Sequence, residues 1–163
     1  MSDAPKLTPE FVHRKPQHTA VVRGEGVPVE QMIAFLDDAF TVLRAAVDAA
    51  AVAPDGFAFS RYDTELVGNV TVEAGMPLLA QLDSPLEFSG LTIVPGELPG
   101  GELARAIHVG PYSELADVWQ GFLGELQAAG RTPRKPYWES YHVTPGPGAD
   151  PQALRTELVA VID

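Results

Sequence analysis

The sequence contains no cysteine. Disulfides, thiolate metal sites, iron–sulfur clusters and cysteine nucleophiles are thereby excluded, and the absence fits a reducing compartment. Basic residues are scarce: 11 Lys and Arg stand against 22 Asp and Glu, for a formal net charge of −11. A phosphate backbone would be repelled unless a basic patch intervened. The densest basic stretch, RTPRKP at 131–136, reads as a solvated loop before a strand. Direct nucleic-acid binding is therefore not expected, while the acidity favours cationic ligands by long-range attraction. No apolar run is long enough to cross a bilayer. The N-terminal MSDAPKLTPEF has no apolar core of the signal-peptide kind. The expectation is a cytoplasmic protein without membrane association. His13, His18, His108 and His142 are scattered, so no metal site is expected. Phosphate loops, dinucleotide fingerprints and nucleophile elbows are absent, so no cofactor is expected either.

What is present is an ordinary globular composition, 45% hydrophobic over 163 residues, enough for a real core. Residues 1–14 read as a polar arm and 15–163 as one domain. HTAVVRG at 18–24 reads as a strand. After it, Val29, Met32, Ile33, Leu36, Phe40, Leu43 and Val47 recur at helical spacing, between Pro28 and Pro54. GFAFSRY (56–62) and LVGNVTVEAG (66–75) alternate as strands joined by the short polar stretch DTE. A Pro- and Gly-punctuated stretch follows, with one short strand about 88–94. The order then returns. ELARAIHVG (102–110) is a strand, and a helix follows with Leu115, Trp119, Phe122 and Leu126 on one stripe. KPYWESYHV (135–143) is a strand, TPGPGADPQ a turn, and LRTELVAVI (154–162) a last strand.

Strand–helix–strand–strand thus occurs twice, at about 15–75 and 88–162. The fold class predicted is α+β. Two βαββ repeats, related by pseudo-twofold symmetry, would share an antiparallel sheet with two long helices on one side and a ligand cleft at the junction of the halves.

Within YWESY (137–141), an acid sits in an aromatic run. The strand period of two puts Tyr137, Glu139 and Tyr141 on one face, and Trp138, Ser140 and His142 on the other. An aromatic–acid–aromatic face attracts cations through the rings and supplies a counter-charge. The plainer alternative is a surface acid on an edge strand. Aligning Tyr62 with Tyr141 puts Ser60 where Glu139 falls, so only the second copy carries the acid. Tyr112 starts the second helix, where a hydroxyl could line a cleft. Trp119 lies two turns further on nearly the same face and has core packing as its alternative. His108 ends a strand two residues before Gly110. Glu139, Tyr137, Tyr141, Trp138, Tyr112, Trp119, Tyr62 and His108 are the candidate ligand-contacting residues.

ARAIHVGPYSELADVW (104–119), YWESY (137–141) and the closing TELVAVI (156–162) resemble the GyrI-like family, also called the AraC-type effector-binding or multidrug-regulator ligand-binding domain. The resemblance implies a cleft for bulky, often cationic or aromatic compounds, with Glu139 at the position of a glutamate at its floor. Some members carry a helix-turn-helix domain. The residues before 15 are too few for one, so this chain resembles the stand-alone members. Those are proposed to sequester drugs and, in the founding case, to inhibit DNA gyrase. Another branch resembles hydrolases that open strained cyclopropane rings, in which Glu139 and Tyr137 would be the catalytic pair. The resemblance therefore implies a small-molecule binding protein, with two alternatives: a hydrolase using Glu139 as general base, or an inhibitor that binds a topoisomerase-like protein partner.

Overall fold

The computed structural model describes residues 7–143, 148 and 150–163. The first residues of the arm and most of the turn read at 144–152 lie outside the described residues. The architecture is α+β, with antiparallel strands and two long helices. The chain divides into two units: Lys15–Gly100, and the segment ending at Arg14 together with Gly101–Asp163.

The Lys15–Gly100 unit contains strands β2 (Gln17–Pro28), β3 (Phe59–Tyr62), β4 (Asn69–Pro77), β5 (Leu86–Phe88) and β6 (Leu91–Leu98), and helix α1 (Met32–Asp48). Its strand order is β3-β4-β2-β6-β5, antiparallel throughout. Leu36, Ala39, Val42, Leu43 and Ala46 of α1 are buried against Ala20, Val22, Val70, Val72, Ala74 and Ile93 of the strands. Ala39 and Ala46, two turns apart on the buried face, let the helix axis approach the sheet closely. Ile33 departs from the expected stripe and is 63% exposed. The single strand expected at 88–94 is two strands. Ser89 and Gly90 both have positive φ, 50° and 84°, which makes a two-residue hairpin turn of the kind that matches strand twist. Gly75 permits close packing, since a Cβ there would lie 2.6 Å from Phe59 Cζ and 2.7 Å from Val21 Cγ1.

The other unit contains β1 (Glu10–Arg14), β7 (Gly101–Val109), β8 (Pro133–Val143), β9 (Arg155–Ile162) and helix α2 (Leu115–Ala128). Its strand order is β1-β7-β9-β8. Leu115, Val118, Phe122 and Leu126 of α2 pack on Ala104, Ala106, Leu158, Ala160 and Ile162. The register places Ala104 opposite Ala160 and Ala106 opposite Leu158, which gives α2 a flat apolar seat. Of the basic stretch read as a loop, 131–136, the part from Pro133 onward instead belongs to β8.

Residues 10–14, read as part of a polar arm, are a strand paired to β7. Charge fixes them there. Arg14 donates to Glu157 at 2.8 Å, Arg105 donates to the same carboxylate, and Arg105 also reaches Glu10 at 3.1 Å. Glu157 is 5% exposed. Burial pushes its carboxyl pKa up, but hydrogen bonds and charge from Arg14 and Arg105 outweigh that and hold it below the usual carboxylate range.

Candidate functional site

Glu139 lies near the middle of β8, where the register to β9 runs without interruption from Tyr137 to Tyr141. Tyr137, Glu139 and Tyr141 stand opposite Ala160, Leu158 and Thr156, so they share the side that α2 covers. Glu139 is 5% exposed. The Trp119 indole N–H donates to its Oε1 at 2.6 Å, and the Tyr141 hydroxyl donates to its Oε2 at 3.0 Å. Both donors are neutral, so these bonds hold the carboxylate in place without cancelling its charge.

Rings enclose the acid. The Trp119 and Tyr137 rings stack with centroids 5.5 Å apart and planes 24° apart. Trp119 meets Phe122 edge-on at 5.8 Å, which ties the site to the core beneath α2. Tyr112 and Tyr141 are 5.5 Å apart and tilted by 56°. The backbone explains the position of Tyr112. Gly110 has φ +145°, Pro111 follows, and a single 3-10 turn at Tyr112–Glu114 leads into α2. Burial, and after it the charge on Glu139, raises the Tyr112 pKa, so its hydroxyl stays protonated and able to donate. The Lys135 ammonium lies 5.3 Å over the Tyr137 ring, which shows that this ring accepts a cation.

Of the candidates named from sequence, the structure brings Glu139, Tyr137, Tyr141, Tyr112 and Trp119 together. Trp119, expected either to contact a ligand or to pack in the core, packs on the edge of the core and also hydrogen-bonds the acid, a contact the sequence did not suggest. His108 joins the same face one strand beyond β9, opposite Thr156. Trp138 projects to the other face of β8 and is buried there. Tyr62 belongs to the Lys15–Gly100 unit, where it packs in the core of α1. Two polar residues beside His108 carried no signal in the sequence. Thr156 depends on strand register, and Glu114 on the turn geometry that Gly110 creates. Among the described residues, no group of three or more His, Asp or Glu is placed to hold a metal ion. No helix among them is long and apolar enough to cross a membrane.

A search of curated proteins finds no match. Solved structures match over nearly the whole chain, at identities that speak for the fold alone. The C-terminal domain of EcmrR is 15% identical, with TM-score 0.74, covering 96% of this chain and 98% of that one. SAV2435, solved bound to tetraphenylphosphonium, is 10% identical, with TM-score 0.69, covering 96% and 94%. A hydrolase from Listeria innocua is 14% identical, with TM-score 0.62, covering 98% and 94%. The model of the GyrI-like small molecule binding domain matches residues 7–161, which is nearly the entire sequence. The chain therefore belongs to the GyrI-like family.

Proposed function

We propose that this protein binds bulky aromatic cations, with the positive charge held at Glu139. One observation carries the reading: a carboxylate 5% exposed, fixed by the Trp119 N–H and Tyr141 O–H and surrounded by aromatic rings. A lipophilic cation suits such a site in two ways, by direct attraction to the carboxylate and by its fit to the negative faces of the rings. The rings offer area rather than directed bonds, so selectivity among flat or globular cations of similar size should be broad. The ligand-bound SAV2435 structure supports this class of ligand through its shared fold.

A second reading has its own support. The Tyr141 hydroxyl sits 3.0 Å from the Glu139 carboxylate, so an acid and a proton donor lie side by side. In a hydrolase, Glu139 would take a proton from water as the water oxygen bonds to a strained ring carbon. A tyrosine would protonate the carbon released when the ring bond breaks. The Listeria innocua neighbour described as a hydrolase has the same fold. Incubation with tetraphenylphosphonium and with a cyclopropane-bearing electrophile separates the two. Binding predicts a saturable rise in melting temperature with tetraphenylphosphonium, and the electrophile recovered unchanged by mass spectrometry. A product heavier by one water establishes the hydrolase. No thermal response to the cation contradicts the binding reading.

A further inference from the structure

His108 and Thr156 face each other across β7 and β9, and Tyr141 faces Thr156 from β8. The three form a row across adjacent strands, spanning roughly 10 Å at the usual strand spacing. Its Tyr141 end is hydrogen-bonded to Glu139. At the other end, His108 is 3% and Thr156 0% exposed. His108 Nε2 and Thr156 Oγ1 are buried atoms without a hydrogen-bond partner among the described residues. Two unsatisfied polar groups on one face, in directly paired residues beside a ligand site, are an unfavourable arrangement for the chain alone.

Gly110 shapes the approach to them. A Cβ there would lie 2.6 Å from Glu114 Oε1 and 3.1 Å from His108 Nε2. The space left by the missing side chain is where the Glu114 carboxylate comes within 3.4 Å of Nε2, too far for a well-formed hydrogen bond. The Glu114 side chain is 45% exposed and sits on the turn before α2, so it can swing to solvent and uncover the imidazole.

The geometry points to a polar subsite at His108 and Thr156 that receives a hydroxyl of a ligand whose cationic part rests at Glu139. A hydroxyl both donates and accepts, so one such group satisfies Nε2 and Oγ1 together. The ligand class is then a hydroxylated, amphipathic aromatic cation rather than a bare lipophilic one. This inference rests on the assignment of Glu139 as the cation site.

The test uses two probes of equal charge and nearly equal shape, tetraphenylphosphonium and (3-hydroxyphenyl)triphenylphosphonium, titrated into the wild-type chain and Thr156→Val. The wild type is expected to bind the hydroxylated probe roughly 5- to 10-fold more tightly, the effect of one net hydrogen bond. Thr156→Val, which exchanges hydroxyl for methyl, should abolish that preference and leave tetraphenylphosphonium within about twofold of the wild type. In the wild type, the His108 Nε2 nitrogen resonance should move with the hydroxylated probe and not with its parent. Equal wild-type affinity for the two probes, or a preference that survives Thr156→Val, overturns the subsite. If tetraphenylphosphonium fails to bind, the Glu139 assignment has failed. If it binds and the hydroxyl has no effect, only the subsite has failed. Should the valine variant not fold, the wild-type affinity ratio and the His108 resonance decide the matter.

Discussion

Glu139→Gln should weaken tetraphenylphosphonium binding by roughly 5- to 150-fold, the scale of one charge-assisted contact of about 1–3 kcal/mol. Glutamine preserves the shape of the side chain: its carbonyl oxygen can still accept from Trp119, and its amide N–H can donate to the Tyr141 hydroxyl oxygen, so the aromatic surround stays in place. What disappears is the charge. A neutral ligand of related shape, triphenylphosphine oxide, should therefore bind wild type and variant alike. For a hydrolase, the same change should leave binding largely intact and lower turnover by roughly 100-fold or more, as loss of a general base does. A protein-interaction inhibitor working through its acidic surface would be indifferent to it. Calorimetric titration of both compounds into both proteins separates these outcomes. An unchanged affinity for the cation, with no turnover to lose, would place Glu139 outside any functional site.

The second large effect concerns stability. Glu157→Gln should destabilise the fold by about 3 kcal/mol, at the lower end of the range for breaking a buried ion pair because Arg14 is more than a third exposed. The sign of the pH dependence follows from the depressed pKa of Glu157 in the folded chain. A carboxyl whose folded pKa lies below its unfolded value contributes stability above the unfolded value, near 4.5, and loses it as pH falls through the folded one. Wild-type stability should accordingly decline below about pH 4.5, and Glu157→Gln should decline less over that window. Denaturant unfolding at pH 7 and in the acid range measures both. Parallel acid profiles would show that the Arg14–Glu157–Arg105 cluster does not hold β1 as described.

The long elements were legible because their signals are local. The helical spacing of Leu36 and Leu43, and of Leu115, Phe122 and Leu126, is written within each segment. Period-two alternation likewise placed Tyr137, Glu139 and Tyr141 on one face, and the uninterrupted register of β8 keeps them there. What could not be read depends on partners distant in sequence. EFVHR looks polar in isolation, and its charges find Glu102, Arg105 and Glu157 only in the folded sheet. The contact between Trp119 and Glu139 requires α2 to be set on β8 at one angle and one rotation, which no pattern within either segment specifies. The pairing of His108 with Thr156 requires the β7–β9 register. The short hairpin at Ser89 and Gly90 had a turn signal, but the flanking strands were too apolar and too close to separate by pattern alone.

The central claim is that charge at Glu139, and not aromatic area alone, selects the ligand. Tetraphenylphosphonium and tetraphenylborate have nearly the same shape and apolar surface and opposite charge. Their affinities, measured by calorimetry in about 1 M sodium chloride, where the screening length is about 3 Å and the net acidity of the chain is largely masked, isolate the buried carboxylate. The account predicts saturable binding of one phosphonium per chain and no measurable binding of the borate. Equal or tighter binding of the borate would contradict it.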